Sequence, residues 1–393
     1  MKKDTILTHA GRHPEDNYGI VNPPVYHAST VTFPTLAAFE EQAKTPFDGV
    51  MYGRMGTPTS FAFEEAVAAI EGGHRSIAVP SGLAAIAVSM TACLKSGDHA
   101  LVTDNAYGPT RVRVSDGLLA RAGVEVTYFD PAIGGQIKSL FRPNTKAVYL
   151  ESPGSLSFEM MDVPAIAAAA KEHGATVMMD NTWASPYFFR PLEHGVDIVI
   201  EAATKYIVGH SDAMLGVITV ANRELFDSVK WISNALGNTA APDDCYLGLR
   251  GLRTLSVRLD RHQRNARILA EWLQDRDEVE RVLYPPLEND PGHFIWKRDF
   301  SGGSGLFGVL LKAYDKTALA AMLDGLQLFG MGASWGGFES LVLLTHPEKF
   351  RTVAPWNHDG HTLRIHAGLE DPDDLIDDLR EGFDRLNKVA DGG

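Results

Sequence analysis

Cysteine is nearly absent from the 393 residues. Only Cys93 and Cys245 occur, far apart, so neither a disulfide framework nor a four-cysteine zinc site is available. A reducing cytoplasm is the compartment that fits this usage. No apolar run reaches bilayer-spanning length, and the basic start Met1-Lys2-Lys3-Asp4 leads into Thr8-His9-Ala10-Gly11-Arg12-His13, not an apolar leader core. Neither a membrane span nor a secretory leader is therefore expected. Positive charge is in deficit: 36 Lys and Arg against 50 Asp and Glu give a net charge of -14, which opposes charge-driven binding to nucleic acid or an anionic membrane. Repeats and low-complexity tracts are missing too. What remains, 45% hydrophobic and 22% charged, is the make-up of a globular chain long enough for two domains.

Residues 1–55 hold Pro23-Pro24, Phe33-Pro34, Thr45-Pro46 and one short helical pattern from Thr35 to about Lys44. They read as an arm without its own core, which needs another surface, such as a neighbouring subunit, to lie on. From 56 to 240 short apolar runs alternate with helical periodicity. Thr57-Pro58 offers an N-cap and first-turn proline for a helix that stops at Gly72-Gly73, and strand-like runs follow at Ile77–Val79, His99–Val102, Val124–Tyr128, Ala147–Leu150, Ala175–Thr182, Val196–Ile200 and Val217–Val220. Helices are expected between them, near Arg111 to Ala122 and over Val163 to His173 among others. Such alternation predicts an α/β fold with helices packed on a mostly parallel sheet. From 241 to 393 the pattern changes to long helical stretches, one from about Asp243 to Gln274, and then to a smaller mixed region with strands near Leu306–Leu311, Leu341–Leu344 and Thr362–His366. The acidic tail after Glu370 has the spacing of an amphipathic helix.

Chemistry concentrates where strands end. After Val196–Ile200 the chain presents Thr204, Lys205, Tyr206, Gly209 and His210 in quick succession, and strand ends of an open α/β sheet are where ligands bind. Lys205 is the one group there that can form a Schiff base, given burial that lowers its pKa. Asp180, closing another strand, is placed to pair with a pyridinium nitrogen. Ser81-Gly82-Leu83, between a strand and a helix, leaves backbone N–H groups free for a phosphate, although an ordinary tight turn has the same sequence. Tyr107 follows a strand ending near Asp104, where an aromatic ring either stacks on a ligand or fills core. Arg364 lies in the apolar Leu363-Arg364-Ile365, so its charge needs either an anionic ligand or an internal salt bridge.

Two patterns are set aside. Gly303-Ser304-Gly305-Leu306-Phe307-Gly308 fits G-x-G-x-x-G but precedes a strand where a dinucleotide site needs a helix. His358-Asp359-Gly360-His361 has no third ligand, so no metal is expected.

The stretches Met51-Tyr52-Gly53-Arg54, Pro80-Ser81-Gly82, Asn105-Ala106-Tyr107-Gly108, Glu151-Ser152-Pro153-Gly154, Asp180-Asn181-Thr182, Ala203-Thr204-Lys205-Tyr206, Ser334-Trp335-Gly336-Gly337 and Leu363-Arg364-Ile365-His366 occur in the order of one known family. Over nearly its whole length the chain resembles the fold-type I pyridoxal phosphate enzymes of cysteine and methionine metabolism, closest to their bacterial β-lyase branch. The resemblance implies a mostly parallel seven-stranded sheet with helices on both faces plus a smaller C-terminal α+β domain. It implies pyridoxal 5'-phosphate on Lys205, held by Asp180, Tyr107, Ser81, Gly82, Leu83, Thr204 and Thr182, with Tyr52 and Arg54 reaching in from the adjacent subunit. It also implies catalytic roles for Lys205 and Tyr107, and a substrate bound by Arg364, Ser334, Trp335 and Tyr52. Family members often carry Ser three positions before the lysine. Ala202 stands here, leaving that phosphate contact to water or another donor.

The implied reaction is β-elimination of L-cystathionine to homocysteine, pyruvate and ammonia in methionine biosynthesis, with cysteine-like S-substituted substrates beside it. Trp335 points to this branch because relatives acting at the γ-carbon commonly have a smaller apolar residue there. A cystathionine γ-lyase, γ-synthase or O-acylhomoserine sulfhydrylase stays open, as does a non-catalytic α/β protein that binds a phosphorylated ligand. The resemblance further implies a cytoplasmic homotetramer built from dimers that share active sites.

Overall fold

A computed structural model of the chain describes residues 1–391. Its larger sheet has the strand order β1-β7-β6-β5-β4-β2-β3, formed by β1 (Arg75–Val79), β2 (His99–Thr103), β3 (Glu125–Phe129), β4 (Thr145–Glu151), β5 (Thr176–Asp180), β6 (Ile198–Glu201) and β7 (Gly216–Val220). Strands β3, β2, β4, β5 and β6 run parallel; only β7 is antiparallel to its neighbours β6 and β1. The near-continuous apolar runs found in the sequence follow from this, because a sheet covered on both faces buries both sides of each strand. Two apolar clusters lie across it, one including Leu101, Val148, Val177 and Val199, the other Ile77, Val102, Tyr149 and Ile198.

The helices are α1 (Lys3–His9), α2 (Leu36–Lys44), α3 (Pro58–Glu71), α4 (Gly82–Cys93), α5 (Val163–His173), the single turn α6 (Ser185–Phe188), α7 (Arg223–Ala235), α8 (Pro242–Leu252), α9 (Leu255–Gln274), α10 (His293–Asp299), α11 (Lys316–Leu323) and α12 (Pro372–Asp391). The capping signals behave as expected. Ser60 Oγ accepts from Thr57 N (3.0 Å) at the start of α3, and Gly72 ends the helix in the left-handed region. A second sheet, β10-β11-β12-β9-β8, comprises β8 (Val279–Leu283), β9 (Leu306–Leu311), β10 (Gly330–Met331), β11 (Leu341–Thr345) and β12 (His361–His366), with antiparallel pairing except between β10 and β11.

Three expectations need correction. Residues 1–55 hold a helix beyond the one expected: α1 buries Leu7 in the main core, and Arg253 donates to the carbonyls of Leu7 (2.6 Å) and Ala10 (2.9 Å). The stretch from Asp243 to Gln274 is two helices, interrupted at Arg253–Thr254. Thr254 leaves the helical region, so the hydrophobic phase continues while the backbone does not. Finally, Thr110–Leu119 winds as a π-helix. This wide winding follows Tyr107 directly, and π-bulges of this kind gather at functional sites.

Candidate active site

The parallel strands β4, β5 and β6 deliver Glu151, Asp180 and Glu201 to one edge of the larger sheet, with Glu151 and Asp180 directly paired in register. Asp180 Oδ1 accepts from the Thr182 amide (2.9 Å) and hydroxyl (2.5 Å), while Oδ2 accepts nothing among the described residues. Burial raises the Asp180 pKa; the Thr182 hydrogen bonds and the charge of Lys205 oppose the rise. Thr182 Oγ1 also accepts from Ala202 N (2.9 Å), so its hydroxyl ties Asp180 to the turn that carries Lys205.

That turn runs from Ala202 to Gly209, closed by Lys205 N on Ala202 O and Gly209 N on Lys205 O. The buried Arg258 of α9 donates to the carbonyls of Tyr206 (2.7 Å) and Gly251 (2.8 Å), fixing the turn from beneath. Lys205 Nζ donates to Ser334 Oγ at 2.6 Å and lies 5.2 Å from the centre of the Trp335 ring. Burial, and then the charge of Arg364, pull its pKa down to about 8 against the opposing pull of Asp180. A lysine in that range supplies appreciable free amine near neutral pH, the condition for nucleophilic use.

Segments from the second sheet complete the wall. Arg364, on β12, donates through Nη2 to the carbonyls of Gly332, Ala333 and Ser334 at 3.0 Å each, and it makes no salt bridge among the described residues. The internal ion pair weighed from sequence is therefore not what holds it. Its remaining donors suit an anionic ligand. Tyr107 keeps its ring partly exposed while its amide donates to Glu151 Oε2 at 2.7 Å. Burial, with the charges of Glu151 and Asp180, raises the phenol's pKa, and Arg364 opposes this. Lys205, Asp180, Ser334, Trp335, Arg364 and Tyr107 thus belong to one cluster.

At the start of α4, Ser81 Oγ accepts from Ala84 N (3.1 Å), and the amides of Gly82 and Leu83 donate to nothing among the described residues. A Cβ on Gly82 would meet Ala202, so the backbone approaches this turn as closely as an unsubstituted residue allows. Thr204 Oγ1 donates to Leu215 O (3.1 Å) and accepts from Leu215 N (2.8 Å), a local use of the hydroxyl expected to face a phosphate. Tyr52 and Arg54 stand elsewhere. Arg54 donates to Asn234 O (3.2 Å), both residues line a cleft with Ser29, Thr57 and Thr239, and none of their hydrogen-bond partners belongs to the Lys205 cluster.

Sequence reading missed several supports. Glu151 carries a usable signal in the sequence, since it is an acid that closes a strand-like run as Asp180 does. Burial first, then Asp180, push its pKa well up. Asp104 reads in the sequence only as a strand end, and its role there is hidden. It accepts from Arg111 (2.8 Å), Arg351 (3.2 Å), the Thr352 hydroxyl (3.0 Å) and the amides of Thr352, Val353 and Ala354, fastening residues 350–354 beside the loop of Tyr107. Neither decoy gains support. Gly303–Gly308 leads into β9, and the one cluster of metal-ligand type among the described residues is the exposed His13, Glu15 and Asp16.

A lysine amine with a lowered pKa, a carboxylate oxygen and two helix-start amides without partners among the described residues, and an arginine without a counter-ion are groups that can receive a ligand bearing an aldehyde and anionic groups. The chain belongs to the Cys/Met metabolism family of PLP-dependent enzymes, whose model matches residues 4–384. It is 50% identical to a putative cystathionine β-lyase of Rhizobium johnstonii (98% of this chain, 97% of the relative). Against cystathionine β-lyase MetC of Escherichia coli the identity is 43% (98% and 99%), and against an L-alanine/L-glutamate racemase of Wolbachia pipientis it is 40% (98% of each). The crystal structure of metB from Corynebacterium glutamicum superposes with a TM-score of 0.90 at 33% identity, covering 99% of this chain and 98% of that one. No helix among the described residues is long and apolar enough to cross a membrane.

Proposed function

We propose that the protein is a carbon–sulfur β-lyase that cleaves L-cystathionine to homocysteine, pyruvate and ammonia. The observation that carries this reading is the placement of Lys205 Nζ against Ser334 and Trp335, within the field of both Asp180 and Arg364. The residues fit pyridoxal phosphate: Lys205 would bind its aldehyde, Asp180 Oδ2 its ring nitrogen, the amides of Gly82 and Leu83 its phosphate, and Tyr107 would lie on the ring. When bound, the cofactor supplies an electron sink for the charge that develops at Cα. The protein's own side chains do the rest. Arg364 orients the substrate through its α-carboxylate. Once the substrate's amine has taken its place at the aldehyde, the freed Lys205 Nζ would take the Cα proton and return a proton to the departing β-sulfur; the C–S bond breaks as the thiol leaves, and water hydrolyses the remaining three-carbon fragment to pyruvate and ammonia. Ser334 Oγ holds Nζ within reach between these two steps.

Incubation with L-cystathionine tests the proposal. Pyruvate as product supports it, whereas 2-oxobutyrate would transfer the assignment to γ-elimination. A second reading, amino-acid racemisation, is favoured by the racemase relative and by the presence of two proton carriers, Lys205 and Tyr107. Chiral analysis of L-alanine left with the holoenzyme decides it.

We also propose a cytoplasmic homotetramer, divided into an arm (1–55), a cofactor-binding domain (56–240) and a C-terminal domain (241–393). The separation of Tyr52 and Arg54 from Lys205 within one chain and the exposed Tyr18, Ile20, Val21 and Tyr26 support a partner subunit that receives this arm. The two free cysteines agree with a reducing compartment.

A further inference from the structure

Strand β12 presents its side chains alternately, so Arg364 and His366 share a face. Both meet the turn that follows β10. Arg364 gathers the carbonyls of residues 332–334, as described, and His366 Nε2 lies 3.2 Å from the amide nitrogen of Gly336. A backbone N–H only donates, so Nε2 must present its lone pair. The ring proton therefore sits on Nδ1, which faces the carbonyl of Glu339 at 3.1 Å. Both ring nitrogens are thereby assigned, in a side chain that is 1% exposed.

The turn needs this bond. Gly336 adopts φ +87°, and a Cβ there would lie 3.0 Å from the backbone of Lys205, so the turn is pressed directly on the catalytic lysine. Ser334 and Trp335, two and one residues earlier, are the groups that touch Nζ. Behind them the rings of Trp335, Tyr206, His262 and His366 form a continuous array with centroid spacings of 5.4, 5.3 and 5.1 Å.

We infer that neutral His366 is a positioning residue: by accepting from Gly336 N and donating to Glu339 O, it holds the 334–337 turn so that Ser334 and Trp335 meet Lys205. The charged form is excluded because a proton on Nε2 would collide with the Gly336 N–H. The surroundings agree. Burial, then His262, and also Arg364 and Lys205, all disfavour a positive ring, with only the Glu339 hydrogen bond opposing them. The inference deepens the proposed lyase reading, on which the roles of Ser334 and Trp335 rest.

Substitutions separate the hydrogen bond from mere packing. His366→Gln places an acceptor where Nε2 was, His366→Asn reaches only Glu339, and His366→Phe keeps the ring's shape but neither bond. In the apoprotein, backbone hydrogen exchange over residues 332–340 is expected to stay within about twofold of wild type for Gln and to rise at least tenfold for Phe and Asn. In the holoenzyme, kcat/KM for cystathionine is expected to follow the same order, with KM rising more than kcat falls, because the turn also holds Arg364. Phe matching wild type, or Gln exchanging as fast as Phe, overturns the inference. If Phe fails to fold, Asn against Gln decides in its place. Should the wild type release no pyruvate, the lyase reading falls while the exchange ranking still judges His366.

Discussion

Gly82 and Ala202 pack so closely that a Cβ on the glycine would sit 2.5 Å from the Cβ of the alanine. This contact brings the amide-bearing start of α4 against the turn that carries Lys205, two pieces separated by five strands in the chain. A larger side chain at either position must push the start of α4 away from the turn that carries the amine. Gly82→Ala is expected to weaken pyridoxal phosphate binding at least tenfold and to cost about 1–3 kcal/mol through overpacking. Fluorescence titration of the apoprotein and thermal unfolding measure the two effects.

Lys205 is expected to react with pyridoxal phosphate at a rate that rises with pH around a midpoint near 8, since only the free amine attacks. Arg364 lowers that pKa, so Arg364→Gln should move the midpoint up. Asp180 raises it, so Asp180→Asn should move it down. Stopped-flow absorbance over pH 6–10 reads both shifts, and displacements in the same direction would refute the electrostatic account.

Linkage gives the same lysine a second consequence. Its folded pKa lies below the unfolded value, so the unfolded chain binds more protons between about pH 8 and 10.5, and the apoprotein gains stability as pH rises through that window. Lys205→Met should flatten this part of the profile in denaturant melts, after allowance for the other groups that titrate there.

Asp104 is fully buried and carries two arginines and three backbone amides. Burial alone would raise its pKa, but the Arg111 hydrogen bond and the amides of Val353, Ala354 and Thr352 reverse this and lower it. Its contribution is thus present above the ordinary aspartate range and lost as pH falls through the depressed folded value. Asp104→Asn leaves the buried Arg111 without its carboxylate, while Arg351 keeps Glu159, and should cost about 3–5 kcal/mol. Proteolysis within residues 346–356 should speed up in parallel.

Glu71 and Glu201 are both buried, and burial raises both pKa values. For Glu71, Arg190 and Lys3 oppose the rise; for Glu201, the charges of Glu71 and Asp180 increase it. A raised carboxyl pKa means the folded state binds more protons than the unfolded one, so stability falls as pH climbs above the ordinary glutamate range. Glu71→Gln is expected to be more stable than wild type at pH 8 and closer to it at pH 5, measured by urea melts at the two values.

The larger sheet was legible because parallel strands buried on both faces leave uninterrupted apolar runs, and because Thr57, Ser81 and Gly72 mark helix ends unmistakably. Lys205 and Asp180 were legible as strand-end chemistry. The two-residue β10 lacked enough pattern to register, the charged Glu280-Arg281 interrupts the apolar run of β8, and the break at Arg253–Thr254 left hydrophobic spacing intact. The roles of Arg258, Asp104 and His366 escaped notice for another reason: each acts on backbone groups of other segments, through contacts that only tertiary packing creates. The bonds of the Thr204 hydroxyl to the backbone of Leu215 were equally hidden, because the two residues lie eleven apart across a loop.

Arg364 and His366 sit two apart on a strand paired on both sides, with Leu343 opposite Arg364 on β11 and Gly308 opposite it on β9. Inserting or deleting a single residue ahead of them in β12 would rotate both at once into the opposite layer, exchanging them with Leu363 and Ile365. The guanidinium of Arg364 and the imidazole of His366 are therefore placed jointly, by the parity of one short stretch of chain.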